Sequence, residues 1–282
     1  MQKTTSISDL QKIVKDAKIS GQVGFVPTMG ALHKGHLSLI KESLSENRLT
    51  VVSIFVNPTQ FNNDEDLEKY PRNLKKDIDL IASLEGNIVV FTPSVADMYP
   101  EQPIIKDYPL GAIEDVMEGK FRPGHFKGVV TVVELLFEAV QPDVAYFGEK
   151  DFQQLAIIRR MVDYLELPIK IVGCPIYREA SGLAYSSRNE RLSLKMRQES
   201  KIVYESLNEA KCLLREIKNI EAVKQHITEK YTRIPDFELE YFEIAEANTL
   251  QTPKKLEEDK KYRAFIVVYV ENVRLIDNIS LN

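Results

Sequence analysis

Two of the chain's four histidines, His33 and His36, stand either side of Gly35 in the stretch GFVPTMGALHKGH, residues 24–36. The stretch leaves an apolar run at Val26, turns at Pro27 and enters a helical spacing at Leu37, Ile40 and Leu44. A strand-to-helix turn of this kind presents free backbone N–H groups at the helix N-terminus. Gly30 and Gly35 allow close backbone approach, and the imidazoles could donate to phosphate oxygens. The same two rings could instead form a metal pair, or cap the helix and fill its core. A zinc site would need carboxylates or the distant His125 and His226 to complete it.

Three more segments place chemistry just past apolar runs. SIFVNPTQF carries Asn57, Gln60 and Phe61; YFGEKDFQQL carries Gly148, Lys150, Asp151 and Gln154; AYSSRN carries Ser186, Ser187 and Arg188. Two amides beside a phenylalanine would suit a small hydroxylated carboxylate, or would only satisfy loop backbone. Lys150 reads as a phosphate contact, set against an ordinary surface pair with Asp151. Asp151 could hold magnesium through oxygen or cap the following helix. In EGKFRPGHFKGV, residues 118–129, Pro123 and Gly124 make a turn, and Arg122, His125 and Lys127 could form an anion patch beside the site.

The elements that must position these groups alternate. An amphipathic helix follows Ser6, with Asp9 three residues on as an approximate capping box. Buried strands are expected at 23–26, 50–56, 88–91, 144–147 and 169–172, with helices around Leu74–Leu84, from about 126 to 140, and along Leu155–Leu165. This alternation implies an α/β fold: a parallel sheet with helices on both faces and ligands beyond the carboxyl ends of its strands. After residues 174–189 the pattern changes to two charged helices over 193–233 and strands at 237–244 and 263–270. Two domains are expected, residues 1–176 and a small α+β domain over 177–282.

Composition narrows the partners. Lys plus Arg total 37 against 42 Asp plus Glu, a net charge of −5, without the basic excess that tracks a nucleic-acid backbone. Any phosphate is therefore held locally. Charges interrupt the first twenty residues, and no later run suits a membrane span, so neither a signal peptide nor a membrane partner is expected. Cys174 and Cys212 fit no metal or redox spacing, and a reducing cytoplasm is the simplest setting.

PTMGALHKGH, FVNPTQF, RPGHFKGV, QPDVAYFGEKDFQQL and GLAYSSRN, in this order and spacing, resemble the pantoate–β-alanine ligases, also called pantothenate synthetases, most densely over residues 24–192. The resemblance implies a Rossmann-like ATP domain, a small C-terminal lid and a homodimer. It implies ATP-dependent condensation of (R)-pantoate with β-alanine through a pantoyl-adenylate, with magnesium accompanying ATP and with release of AMP and pyrophosphate. His33, His36, Lys150 and Arg188 match family positions that contact the ATP phosphates, with Ser186 and Ser187 donating nearby. His36 is the position usually assigned as proton donor, a purely electrostatic role being the alternative. Met29, Gly30 and Gly35 belong with the nucleotide, Gly148 and Tyr177 match positions near the adenosine, and Asp151 falls in the nucleotide-site segment.

Gln60 and Gln154 match the family's pantoate ligands, Gln60 also lying toward β-alanine. Asn57 matches a supporting position, and Glu118 and Arg122 match positions associated with stabilising this region. Tyr185 departs from the methionine expected before the two serines, which implies altered packing at the adenine end with activity retained. A nucleotidyltransferase that stops after the first step shares the histidine motif, and a non-catalytic nucleotide sensor shares the fold. A requirement for β-alanine separates the first, and turnover the second.

Overall fold

The structure, a computed structural model, describes residues 1–60, 67–68, 70–101 and 104–282; Phe61 lies outside them. Six strands form one sheet, with β-branched residues most frequent in β3 and β4: β1 Gln2–Thr4, β2 Val23–Thr28, β3 Leu49–Ile54, β4 Ile88–Phe91, β5 Val144–Gly148 and β6 Lys170–Cys174. All pair in parallel in the order β1-β4-β3-β2-β5-β6. Apart from the added edge strand β1, this is the Rossmann-like order, and its direction reverses between β2 and β5.

Alternate residues of each strand serve opposite faces, so both faces need cover. Phe25, Val51, Val89 and Ala145 pack under helices α1 (Ile7–Lys18), α6 (His125–Val140) and α7 (Phe152–Tyr164). Val26, Val52, Val90 and Tyr146 pack under α2 (Lys34–Glu46) and α3 (Leu74–Ala82). Two short helices, α4 (Val95–Met98) and α5 (Glu118–Phe121), punctuate the chain before α6.

The remaining residues build a second core. Strands β7 (Glu238–Glu246), β8 (Tyr262–Val270) and β9 (Val273–Ser280) form an antiparallel sheet in that order. Helices α8 (Leu194–Glu199), α9 (Lys201–Ile217) and α10 (Ile220–Tyr231) cover it, with Val203, Leu207, Ile227, Ile266 and Val268 buried between. The helical stretch expected as two segments thus contains three, with Ser193 and Asn219 side chains capping α8 and α10. From the other face, Tyr241, Ala245 and Phe265 join the core of the parallel-sheet body. Neither β1 nor β9 was expected; β1 is only three residues long. Among the described residues, no helix is long and apolar enough to cross a membrane.

Candidate active site

The chain leaves β2 at Thr28 and reaches α2 through a left-handed pair, Gly30 at φ +80° and Ala31 at φ +49°. A buried carboxylate on α3 holds this turn: Asp77 accepts from Ala31 N at 3.0 Å and Leu32 N at 2.7 Å. A Cβ at Gly30 would lie 3.0 Å from the same carboxylate, so Gly30 serves the turn from behind and does not line the cleft.

The histidines then cap α2 reciprocally. Gly35 N donates to His33 Nδ1 at 3.1 Å, and His33 N donates to His36 Nδ1 at 3.3 Å. An Nδ1 that accepts a backbone N–H is unprotonated, so in a neutral ring the proton sits on Nε2. Burial is the main cause that lowers His33 to about 4, with Lys150 adding to it. Burial likewise lowers His36 to about 3, aided by His33 and Lys150. Both rings are therefore neutral near pH 7, each with one N–H donor in reserve. Capping and ligand donation, alternatives in the sequence, are compatible because they use different nitrogens.

Past β5, a single 3₁₀ turn over Glu149–Asp151 presents Lys150 and leads into α7. Asp151 is exposed and its side chain does not cap that helix. The third wall is the segment after β6, where Tyr185 N donates to Tyr177 O at 3.0 Å. The Tyr185 ring lies 5.8 Å from His33 and 5.5 Å from Tyr177, so its bulk occupies the space between the histidine motif and the proposed adenosine end. Ser186 Oγ accepts from Arg188 N at 3.2 Å and starts the turn that carries Arg188.

These walls enclose a cleft of about 240 Å³ at the carboxyl ends of β2 and β5. Met29, His33, Gly35, His36, Asn57, Gln60, Gly148, Lys150, Asp151, Gln154, Tyr177, Tyr185, Ser186, Ser187 and Arg188 all line it. Topology explains the convergence: at the point where strand order reverses, flanking connections turn to opposite faces and leave a crevice between them.

Asn57 borders the cleft, yet its polar atoms are committed to the protein. Its Nδ2 donates to Gln60 Oε1 and Gly128 O, while its Oδ1 accepts from the Tyr99 hydroxyl at 2.8 Å and from Thr59. It orients Gln60, whose Nε2 lies 2.7 Å from Met29 Sδ. Glu118 and Arg122 lie outside the cleft, in a side crevice of about 30 Å³ that shares Lys150, Asp151 and Gln154 with it. Glu118 accepts both arms of Arg274 at 2.6 and 2.7 Å and the Tyr241 hydroxyl at 2.9 Å. The anion patch does not assemble: His125 Nδ1 donates to Gln60 O at 2.9 Å, and Lys127 pairs with Asp107 at 2.9 Å.

Four contributors were not anticipated. Tyr70 lines the cleft, and Asp77 shapes the histidine turn. Gly128 lets α6 press on the 58–60 turn, where a Cβ would meet Thr59 O at 2.4 Å. Gln153 ties Ile113 O, Val116 O and Glu118 N together. Gly128 and Gln153 lay in quoted motifs; Asp77 and Gln153 act through contacts 35 or more residues away, and Tyr70 through its place in the fold. Among the described residues, no group of three or more histidine, cysteine or acidic side chains could hold a metal. Asp151 carries the only carboxylate among the described residues lining the cleft. Both cysteines are free thiols.

The family model described as pantoate-beta-alanine ligase matches residues 2–280. The pantothenate synthetase of Christiangramia forsetii is 50% identical over 281 residues, covering 100% of this chain and 98% of its own. That of Flavobacterium psychrophilum is 53% identical over 272 residues, covering 96% and 95%. Among solved structures, the pantothenate synthetase of Thermus thermophilus superposes with a TM-score of 0.90 at 37% identity, covering 100% of this chain and 99% of its own. The pantoate-beta-alanine ligase of Francisella tularensis, complexed with beta-gamma ATP and β-alanine, superposes with a TM-score of 0.80 at 37% identity, covering 100% and 98%.

Proposed function

The chain belongs to the pantoate–β-alanine ligase family, and from this premise we propose that it joins pantoate to β-alanine through a pantoyl-adenylate formed in the cleft between β2 and β5. A carboxylate and an amine do not condense unaided near pH 7, because the carboxylate is a poor electrophile and its oxygen a poor leaving group. In the first step a pantoate carboxylate oxygen attacks the α-phosphorus of ATP, and the bond from that phosphorus to the bridging oxygen breaks to release pyrophosphate. In the second step the β-alanine nitrogen attacks the acyl carbon, loses a proton and expels AMP, leaving pantothenate.

The first step chiefly requires positioning and neutralisation of charge on phosphoryl oxygens. Lys150 and Arg188 supply fixed cations, and His33 and His36 supply Nε2–H donors that need no titration. The low histidine values favour the electrostatic role for His36, since a neutral imidazole donates a hydrogen bond more readily than a proton. Ser186 and Ser187 add hydroxyl donors, Gln60 and Gln154 hold pantoate, and Met29, Gly148, Tyr177 and Tyr185 line the nucleotide. Asn57 acts through Gln60, and Glu118 and Arg122 support the wall behind Lys150. Magnesium suits oxygen donors. The triphosphate would supply most of them, Asp151, the one carboxylate among the described residues lining the cleft, would be placed to join, and the ion would neutralise phosphate charge.

The division into a Rossmann-like ATP and pantoate domain over 1–176 and a C-terminal lid over 177–282 is supported by the last parallel strand ending at Cys174. A closed lid would protect the anhydride from water.

The observation that carries this reading is the meeting of His33, His36, Gln60, Lys150, Gln154 and Arg188 in one cleft at the switch point. The test is pantoate-dependent exchange of labelled pyrophosphate into ATP without β-alanine. Exchange is expected; its absence in a folded protein that binds ATP would remove the adenylate from the reaction.

A further inference from the structure

One strand of the small domain touches three segments, two beside the cleft and one in the adjoining crevice. In β9, Arg274 forks onto Glu118, Asp277 accepts from both arms of Arg178 at 2.6 and 3.0 Å, and Asn278 reaches the Lys150 turn. Asn278 Nδ2 donates to the carbonyls of Glu149 at 3.0 Å and Lys150 at 2.9 Å. Its amide orientation is set from the other side: Oδ1 accepts from Arg263 Nη1 at 2.9 Å, and a guanidinium only donates, so the nitrogen must face the two carbonyls. Arg263 is itself anchored, with Nη2 2.6 Å from Glu149 Oε2 and its guanidinium 4.1 Å from the centre of the Phe152 ring. At 1% exposure, Asn278 leaves little access for water to replace a lost donor.

We propose that Asn278, oriented by Arg263, is a positioning residue for Lys150: it fixes the backbone of the turn between β5 and α7 so that the ammonium faces the phosphates. The small domain thereby helps to build the site from 128 residues away in the chain. The inference rests on the assignment of Lys150 to the phosphates, and a displacement of such a group by about 1 Å costs ~100-fold in rate. The neighbouring histidines need no such support, because α2 holds them through its own backbone. Coupling should therefore be specific to Lys150.

Asn278→Asp keeps the acceptor for Arg263 and removes the donor, while Asn278→Ala removes both. In pantoate-dependent pyrophosphate exchange, each should lower the maximal rate ~10-fold or more, with melting curves confirming the fold. The same substitutions in a Lys150→Ala background should cost less than ~2-fold, yet keep their full cost in a His36→Ala background. A merely structural role would give equal costs in both backgrounds. Parental exchange in either folded Asn278 variant overturns the inference, as does an undiminished cost in the Lys150→Ala background. Parental exchange in Lys150→Ala alone overturns the phosphate assignment and the inference with it, a result distinct from the other two. If Asn278→Asp does not fold, Asn278→Ala carries the same comparison.

Discussion

The cleft at the switch point and the crevice beside it share Lys150, Asp151 and Gln154, but they use charge differently. In the crevice, Arg274 bridges Glu118 and Glu240, Tyr241 donates to Glu118, and Arg122 stands 3.7 Å from it. Burial opposes ionisation of Glu118, yet the Arg274 bonds and charge, with Arg122 and Tyr241, outweigh it and hold the carboxyl below its ordinary range. Those groups are occupied by one another. In the cleft, the histidines commit Nδ1 to the backbone and keep Nε2 for something else. The lesson is that a charged residue near a site is informative only once its partners are known. Here saturated groups hold the walls, and the two histidines keep a donor to spare.

This contrast is broken most directly by truncating each side. Lys150→Ala and His36→Ala should each cut adenylation by at least ~100-fold, the scale of losing one transition-state contact, with the fold intact, although His36→Ala also removes the acceptor for His33 N and should melt somewhat lower. Near-normal rates in both would dissolve the distinction. Arg274→Ala should act the other way, lowering unfolding free energy by about 2 kcal/mol. That is less than a fully buried pair is worth, because some solvent reaches the side chain. Chemical denaturation, compared with exchange under folded conditions, separates the two effects.

Gln60→Ala should raise the apparent KM for pantoate ~10-fold, the scale of a hydrogen bond to a charged group, while leaving the KM for ATP alone. A defect confined to ATP would move Gln60 to the nucleotide end. Tyr185→Met should alter apparent ATP affinity only a few-fold, on the scale of an aromatic contact, because the ring it removes packs on His33 and Tyr177. No change at all would separate this ring from the nucleotide.

Acid acts on histidines in both regions. His33, His36 and His125 have folded values of about 4, 3 and 4, below the 6.5 of a free imidazole, with burial the first cause in each. The unfolded chain therefore binds more protons between pH 6.5 and 4, and stability must fall as pH drops through that window. His125→Gln removes one of these protons at a residue that does not itself line the cleft, and the glutamine amide can still donate to Gln60 O. Its melting temperature should decline less steeply with acid than the parent's, and an equal slope would place His125 outside this linkage.

Much of the fold was legible because the central strands are buried on both faces and read as continuous apolar runs, as at Val23–Val26 and Ile88–Phe91. Strand β1 and helices α4 and α5 escaped because three or four residues establish no period. Strand β9 escaped although it is eight residues long, because Arg274, Asp277 and Asn278 break up its apolar character. Those same polar residues are its contacts with the rest of the site.

By itself the sequence determined the inventory: two histidines around a glycine at a strand end, a lysine and glutamines past other strands, and motifs whose order identifies a family. That information is local, since turn geometry and apolar periodicity act over a few residues. Only the tertiary structure decided which groups are free to meet a ligand. Glu118 and Arg274 are 156 residues apart, and Asp77 lies 45 and 46 residues from the amides it holds. The partners that saturate a charge, or leave it a donor to spare, are brought together by packing, and no spacing along the chain records them.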